Sequence, residues 1–459
     1  MEQTIAAIAT AMGEGGIAVV RISGTRAVAV ADQSFRPRRG APLSSRRSHT
    51  LAYGWVMDES GEQVDEALAL VMRGPRSFTG EDVVELHVHG GTVAVRRVLD
   101  QVLRAGAHLA APGEFTKRAF LNGRLDLTQA EAVAEVIRAK TDRAMNAALQ
   151  HLSGVLGGQI RAIRERLLEV AAHLEAEIDF PELDLETQTL QRVREGCEWS
   201  LGQVDQLLRG AQQGRILREG FRVVLAGRPN VGKSSLMNRL LRENRAIVTP
   251  IPGTTRDVIE EWISLRGIPV VLSDTAGIRE TADLVEQIGV ERSLTALQRA
   301  DLALVVTDVT AGLTLEDQEV IAKVPPTVAR IGVLNKLDRV TGDAGEMGAP
   351  LAVSLGGCQV IALSAETGEG LDKLEGVIVQ MAGMADQEEH LVVNARQAES
   401  LRQAREHLAA ALETAAAGFG SDLISVDVRA AWVTLGEVTG ETAADDLLDQ
   451  IFSRFCIGK

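Results

Sequence analysis

The residues Gly227-Arg228-Pro229-Asn230-Val231-Gly232-Lys233-Ser234, with Ser235 after them, stand between the apolar stretch Phe221–Ala226 and a helical stretch. Glycines at this spacing let backbone N–H groups wrap phosphates, Lys233 reaches the terminal two, and the Ser234 hydroxyl can ligate Mg²⁺. Asp274-Thr275-Ala276-Gly277 follows a second apolar stretch and supplies a carboxylate for a water-mediated Mg²⁺ contact and a hinge that senses the γ-phosphate. Asn335-Lys336-Leu337-Asp338 ends the apolar stretch 331–334, and Ser364-Ala365 follows 360–363. The Asp338 carboxylate can accept two hydrogen bonds from guanine N1 and N2, which adenine does not offer, while Ser364 and Ala365 close over the base. A phosphate loop alone leaves ATP and GTP open. The register of the later motifs, each at the C-terminal end of an expected strand, selects a guanine-nucleotide site.

The elements that must position these groups form an α/β domain, here expected over 217–381. At 459 residues the chain has room for about three domains. The first 120 residues read as short alternating strands with glycine turns, clearest at 17–22, 68–72 and 83–88. From Leu127 the pattern is helical: Ile160, Ile163, Leu167, Val170, Leu174 and Ile178 recur at three- and four-residue steps, with Arg161, Arg164, Arg166 and Glu169 between them. Asp179-Phe180-Pro181 breaks that helix. Beyond Asn394 a second stripe runs through Leu401, Ala404, Leu408, Ala411 and Ala415. Each helical stretch has a face that it does not bury alone. The nucleotide domain is therefore expected to be inserted into one helical domain with halves 121–216 and 382–459.

Composition narrows the partners. Hydrophobic content is 45%, aromatic content 3%, and the formal net charge is −15. That balance argues against gripping nucleic acid through bulk positive charge. No long basic run is conspicuous; the stretch 36–47 carries arginines at 36, 38, 39, 46 and 47, and a solvated loop accounts for them equally well. Cys197, Cys358 and Cys456 are far apart in sequence, without the close pair of a metal knuckle or redox motif. No secretory leader or membrane-length apolar run is apparent, so a soluble, cytoplasmic protein is expected.

The switch segment poses a problem. Ras-like proteins carry a water-orienting glutamine directly after the Asp-x-x-Gly motif; here Ile278 occupies that position and offers water no hydrogen bond. Thr254 or Thr255 is the switch threonine expected to reach Mg²⁺ and the γ-phosphate. Arg256 suits either an arginine finger or a switch-loop salt bridge. Asn230 suits either a turn cap or a ligand for a monovalent cation, which would place positive charge beside the β/γ-phosphates.

Outside the nucleotide motifs, Glu85, His87 and His89 alternate with Val84, Leu86 and Val88 and so share one strand face. A carboxylate there can accept hydrogen bonds from a ligand. Zinc ligation and a plain polar sheet face are the competing readings. Cys456 lies beside Phe455 and Ile457, which suits a buried small hydrophobe, but its place near the end of the chain argues against permanent burial.

Taken together, the segments 15–24, 77–82, 85–91 and 112–127, the five nucleotide motifs and Phe455-Cys456-Ile457-Gly458-Lys459 resemble the MnmE (TrmE) family of tRNA uridine-modification GTPases over essentially the whole chain. The resemblance implies an N-terminal α+β folate-binding and dimerisation domain (1–120), a discontinuous helical domain and an inserted Ras-like GTPase domain. It implies a GTPase using Mg²⁺ (Ser234, Thr255), activated by K⁺ when its nucleotide domains dimerise, with Asn230, Thr249, Ile251 and Thr254 matching K⁺-binding positions. Glu286 matches the family's water-orienting glutamate, which answers the Ile278 problem, and Arg279 stands near it to help arrange the switch. Arg21, Glu85, Arg124 and Lys459 match positions contacting a 5-formyl- or methylene-tetrahydrofolate, and Cys456 matches a reactive cysteine. The implied partners are a second copy of the chain, the flavoprotein MnmG and tRNA. The rival reading is an Era-like ribosome-assembly switch, whose mark would be a basic RNA-binding module, and none is found.

Overall fold

The computed structural model describes residues 3–180, 186–244, 260–274, 295–340, 344–384 and 391–459. The chain divides into two compact units, 1–137 with 149–203 and 400–459, and 138–148 with 204–399.

The first unit contains a seven-stranded sheet: β1 (Ile5–Ile8), β2 (Gly15–Ser23), β3 (Phe35–Pro37), β4 (Thr50–Met57), β5 (Gln63–Met72), β6 (Val83–Gly90) and β7 (His108–Leu109), in the order β3-β4-β5-β6-β2-β1-β7. Period-two alternation fixes which face is buried. Val84, Leu86 and Val88 of β6 and Ala18, Val20 and Ile22 of β2 are buried against the helices Ala27–Ser34 and Thr92–Arg104. The opposite face carries Arg21 paired in register with Glu85, Val19 with His87 and Ile17 with His89. Reading the first 120 residues as strands without longer helices misses Thr92–Arg104, whose Val95, Val98, Leu99 and Val102 have helical spacing.

The helical part of this unit holds Val155–Asp179, which ends where the Asp-Phe-Pro sequence was expected to break it. Ile160, Ile163, Leu167, Val170 and Leu174 are buried, whereas Ile178 is exposed in the last turn. Arg164, read from sequence among the positions between the apolar residues, is only 5% exposed. Its guanidinium pairs with Glu441, donates to the Trp432 carbonyl and lies 4.1 Å from the Trp432 ring centroid. A buried arginine so partnered joins Val155–Asp179 to Ser421–Thr439 through charge, hydrogen bonding and ring contact together.

The second unit is a six-stranded, mostly parallel sheet: β8 (Phe221–Ala226), β9 (Glu260–Leu265), β10 (Ile268–Asp274), β11 (Leu302–Asp308), β12 (Ala329–Asn335) and β13 (Val360–Ala362), ordered β13-β12-β11-β8-β10-β9. Only β9 pairs antiparallel, with β10. All seven residues of β11 are buried, as expected for a central parallel strand covered on both faces. Ala144, Ile216, Leu217, Met384 and Val392 join the core around β8, so this unit extends beyond the span 217–381 expected from sequence.

Candidate functional site

Parallel strands end on one edge, and that edge gathers the nucleotide motifs. β8 leads into the phosphate loop, β10 ends at Asp274, β12 ends at Asn335, and Ser364 follows β13. Gly232 has φ +95°, and a Cβ there would stand 2.3 Å from Asn335 Nδ2, so backbone conformation and close approach both demand glycine. Lys233 opens the helix Lys233–Asn244, and its ammonium donates to the carbonyls of Gly227 at 2.6 Å and Arg228 at 2.9 Å. Burial pushes the Lys233 pKa down, opposed by the nearby Asp274 carboxylate. Ser234 Oγ donates to Asp274 Oδ2 at 3.1 Å. This hydroxyl–carboxylate pair offers the hard oxygen donors that a Mg²⁺ ion takes, so the residues fit that ion.

Asn335 ties three loops together. Its Nδ2 donates to the Val231 carbonyl at 2.8 Å and its Oδ1 accepts from the Ala365 N–H at 3.0 Å, in a position only 1% exposed. Ser364 Oγ donates to Asp338 Oδ1 at 2.5 Å and accepts from the Thr367 N–H, which orients the carboxylate read from sequence as the guanine acceptor. Lys336 Nζ donates to the Asn230 carbonyl at 2.8 Å and to Asp308 Oδ2 at 2.6 Å. Asp308 belongs to none of the sequence motifs; its signal is a lone carboxylate closing a strand that is apolar from Leu302 to Val306. Asn230 has φ +66°, a left-handed residue inside the phosphate loop. Thr249, Ile251, Thr254, Thr255, Arg256, Thr275, Ala276, Gly277, Ile278, Arg279 and Glu286 lie outside the described residues.

A second constellation forms in the first unit. Arg21 Nε donates to Glu85 Oε1 at 2.8 Å, and Arg21 Nη1 donates to the Gly458 carbonyl at 3.4 Å. The Arg21 guanidinium carbon lies 5.2 Å from the Phe78 ring centroid, and that of Arg124 also lies 5.2 Å from it. Arg124 also donates to the Phe78 carbonyl. Phe78, in the segment 77–82, thus brings the two arginines onto one ring, a role that the segment's sequence does not announce. Burial lowers the Lys459 pKa, with Arg21 acting in the same direction and Glu85 and Cys456 opposing it. Gly458 has φ +91°, and a Cβ there would lie 2.3 Å from the Ile8 carbonyl oxygen, which seats the Cys-Ile-Gly-Lys segment against β1. Cys456 is exposed and Cys197 is buried.

Two expectations for this face need refinement. Arg21 is engaged by Glu85, so it does not stand as a free partner for a ligand carboxylate, and one oxygen of Glu85 is already taken. His89 Nδ1 instead pairs with Asp65 at 2.7 Å, away from His87, whose Nε2 is buried without a hydrogen bond, 3.5 Å from Glu85 Oε2. Among the described residues no group of three or more His, Cys, Asp or Glu side chains is placed to hold a metal ion. No described helix is long and apolar enough to cross a membrane.

Comparison with known proteins covers the chain from residue 4 to residue 456. A family model described as the GTP-binding protein TrmE N-terminus matches residues 4–124, and one described as the MnmE helical domain matches 127–456. The tRNA modification GTPase MnmE of Symbiobacterium thermophilum is 64% identical over 458 residues, covering 100% of both chains. The proteins of the same name from Geobacillus kaustophilus and Moorella thermoacetica are 51% and 49% identical, covering 99% and 100% of this chain and the same shares of their own. Among solved structures, Aquifex aeolicus Era bound to GDP and AlF4⁻ is similar with a TM-score of 0.30 and 26% identity, over 40% of this chain and 66% of that one. On the two family models and the full-length relatives, the chain belongs to the MnmE family of tRNA modification GTPases.

Proposed function

We propose that this chain is a K⁺-activated, Mg²⁺-dependent GTPase that works with the flavoprotein MnmG to build the carboxymethylaminomethyl or aminomethyl group at C5 of the tRNA wobble uridine. The carrying observation is the joint presence of two sites in one chain. Asn335 links Val231 to Ala365 in the first. In the second, Arg21 and Glu85 adjoin Gly458 and Lys459, and the Phe78 ring is shared by Arg21 and Arg124.

In this reading Lys233 and the loop amides bind the phosphates, Ser234 and Thr255 hold Mg²⁺, and Asp338 selects guanine. Asn230, Thr249, Ile251 and Thr254 hold K⁺ when two nucleotide domains meet. Glu286 orients the attacking water, and Arg279 helps order the switch. Arg21, Glu85, Arg124 and Lys459 bind the tetrahydrofolate one-carbon donor in an N-terminal domain that also forms the homodimer, and Cys456 serves the modification step. Support for a folate at this face comes from the buried Nε2 of His87, which lacks a hydrogen bond although Glu85 Oε2 stands 3.5 Å away, and from the Phe78 ring shared by Arg21 and Arg124. A pterin ring carries the hydrogen-bonding edge that such a nitrogen lacks, and its glutamate tail suits the Arg124 and Lys459 cations rather than the Glu85-paired Arg21. The acidic balance of −15 fits a subunit that leaves most tRNA gripping to its partner.

Reconstitution tests this reading. This chain, the flavoprotein, GTP, Mg²⁺, K⁺, methylene-tetrahydrofolate, ammonium or glycine as the amine of the new group, and tRNA lacking the modification are combined, and the wobble nucleoside is analysed by mass spectrometry. A 5-substituted uridine that forms only when chain, folate and GTP are all present is expected. Unmodified uridine despite full GTP turnover would reduce the chain to a GTPase switch.

A further inference from the structure

We propose that Asp308 is a positioning residue for nucleotide binding: it holds Lys336 against the Asn230 carbonyl and thereby ties the guanine loop to the phosphate loop. Asp308 ends β11, which lies between β8, the strand entering the phosphate loop, and β12, the strand entering the guanine loop. It pairs in register with Asn335 and is 8% exposed. Both carboxylate oxygens are engaged. Oδ2 receives Lys336 Nζ at 2.6 Å, and Oδ1 receives the Thr310 N–H at 2.9 Å and the Thr310 hydroxyl at 2.7 Å.

The tie spans two backbones in an uncommon conformation. Lys336 has φ +67° and Asn230 φ +66°, a region costing non-glycine residues roughly 1 kcal/mol or more. The ammonium reaches both places at once, donating to the Asn230 carbonyl at 2.8 Å while Asp308 neutralises it. Without Asp308 a lysine this close to phosphate-loop carbonyls keeps a weaker, neutral acceptor and regains its rotamers. Burial would raise the Asp308 pKa, but the bonds from Lys336 and Thr310 outweigh it and hold the carboxyl below its ordinary value. Asp308 therefore stays charged at neutral pH. Its carboxylate bonds Lys336 and Thr310 and reaches the phosphate loop through Lys336, which is why its role is positional.

The test is a double-mutant cycle on the full chain, read by stopped-flow release of a fluorescent GDP. Asp308→Asn preserves shape and the Thr310 partnership but removes the charge. It is expected to release GDP about tenfold faster, the effect of losing one charge-assisted bond. Lys336→Met alone accelerates release, and adding Asp308→Asn to it changes little further. Asp308→Glu, which keeps the charge, restores release to within about threefold of wild type and covers the case in which Asp308→Asn does not fold. Unchanged release in Asp308→Asn, or effects of Asp308→Asn and Lys336→Met that simply multiply, would overturn the proposal.

Discussion

Asn335→Ala separates what this side chain holds from what surrounds it. Two buried backbone groups lose their partner at once: the Val231 carbonyl in the phosphate loop and the Ala365 N–H in the base-closing loop. Neither has water to turn to, since Asn335 is 1% exposed. Leaving a buried donor or acceptor unsatisfied costs about 1–3 kcal/mol each, so the pair is worth about 2–4 kcal/mol once partial relaxation is allowed. That corresponds to about a 30- to 900-fold loss, divided between the stability of the nucleotide unit and GDP affinity. Thermal unfolding and titration with a fluorescent GDP must therefore be read together. Asn335→Asp supplies the control: it keeps the acceptor for Ala365 N–H but replaces the donor to Val231 with a carboxylate facing a carbonyl. It should retain the loop 364–365 contact and still lose affinity. An Asn335→Ala protein that binds GDP within threefold of wild type and unfolds at the same temperature would refute the reasoning about these two bonds.

Four further expectations are open to direct measurement. Gly232→Ala should weaken GDP binding by at least about tenfold, because the new Cβ meets Asn335 Nδ2 in a left-handed backbone; wild-type affinity in equilibrium titration would count against it. Exchanging K⁺ for Na⁺ should slow GTP hydrolysis markedly in wild type and hardly at all in Asn230→Ala, and equal wild-type rates in the two salts would end the cation assignment. Glu286→Ala should keep GTP affinity but lose most turnover in a phosphate-release assay, whereas an unaltered rate would remove Glu286 from the hydrolytic step. Burial pushes the Cys197 thiol up to about 12 from 9.0, so the folded state keeps a proton that the unfolded state loses across that window, and this contribution to stability falls as pH rises through it. Iodoacetamide near about pH 8 should accordingly label exposed Cys456 well before Cys197, and equal labelling of the two by mass spectrometry would contradict their placement.

The nucleotide edge was legible in sequence because it is built from local rules. Phe221–Ala226 is an apolar run closed by glycines, and the described motifs stand at the C-terminal ends of their strands. Glu85 and His87 were legible as one face because a strand alternates, and the register of β2 with β6 put Arg21 opposite Glu85. What sequence could not give were contacts between distant segments. Arg164 reads as a surface residue by spacing, yet Trp432 and Glu441 lie more than 260 positions away and bury it. Asp308 has no motif around it; its meaning comes from the sheet order that lays β11 between β8 and β12. Arg21 and Arg124 flank Phe78 only once helix Glu114–Leu121 and the segment after it return to the sheet. The division of the chain at 203 and 399 likewise reflects packing of Ile216, Leu217 and Val392 into the nucleotide core, which helical periodicity alone does not assign to either side.

The central claim, that GTP hydrolysis by this chain serves chemistry on the wobble uridine, is tested most directly in cells lacking the protein. Their tRNA nucleosides are compared after rescue with wild type or with Cys456→Ser. The account predicts that wild type restores a 5-substituted wobble uridine and that Cys456→Ser does not. A nucleoside profile untouched by loss of the protein and by its return would contradict it.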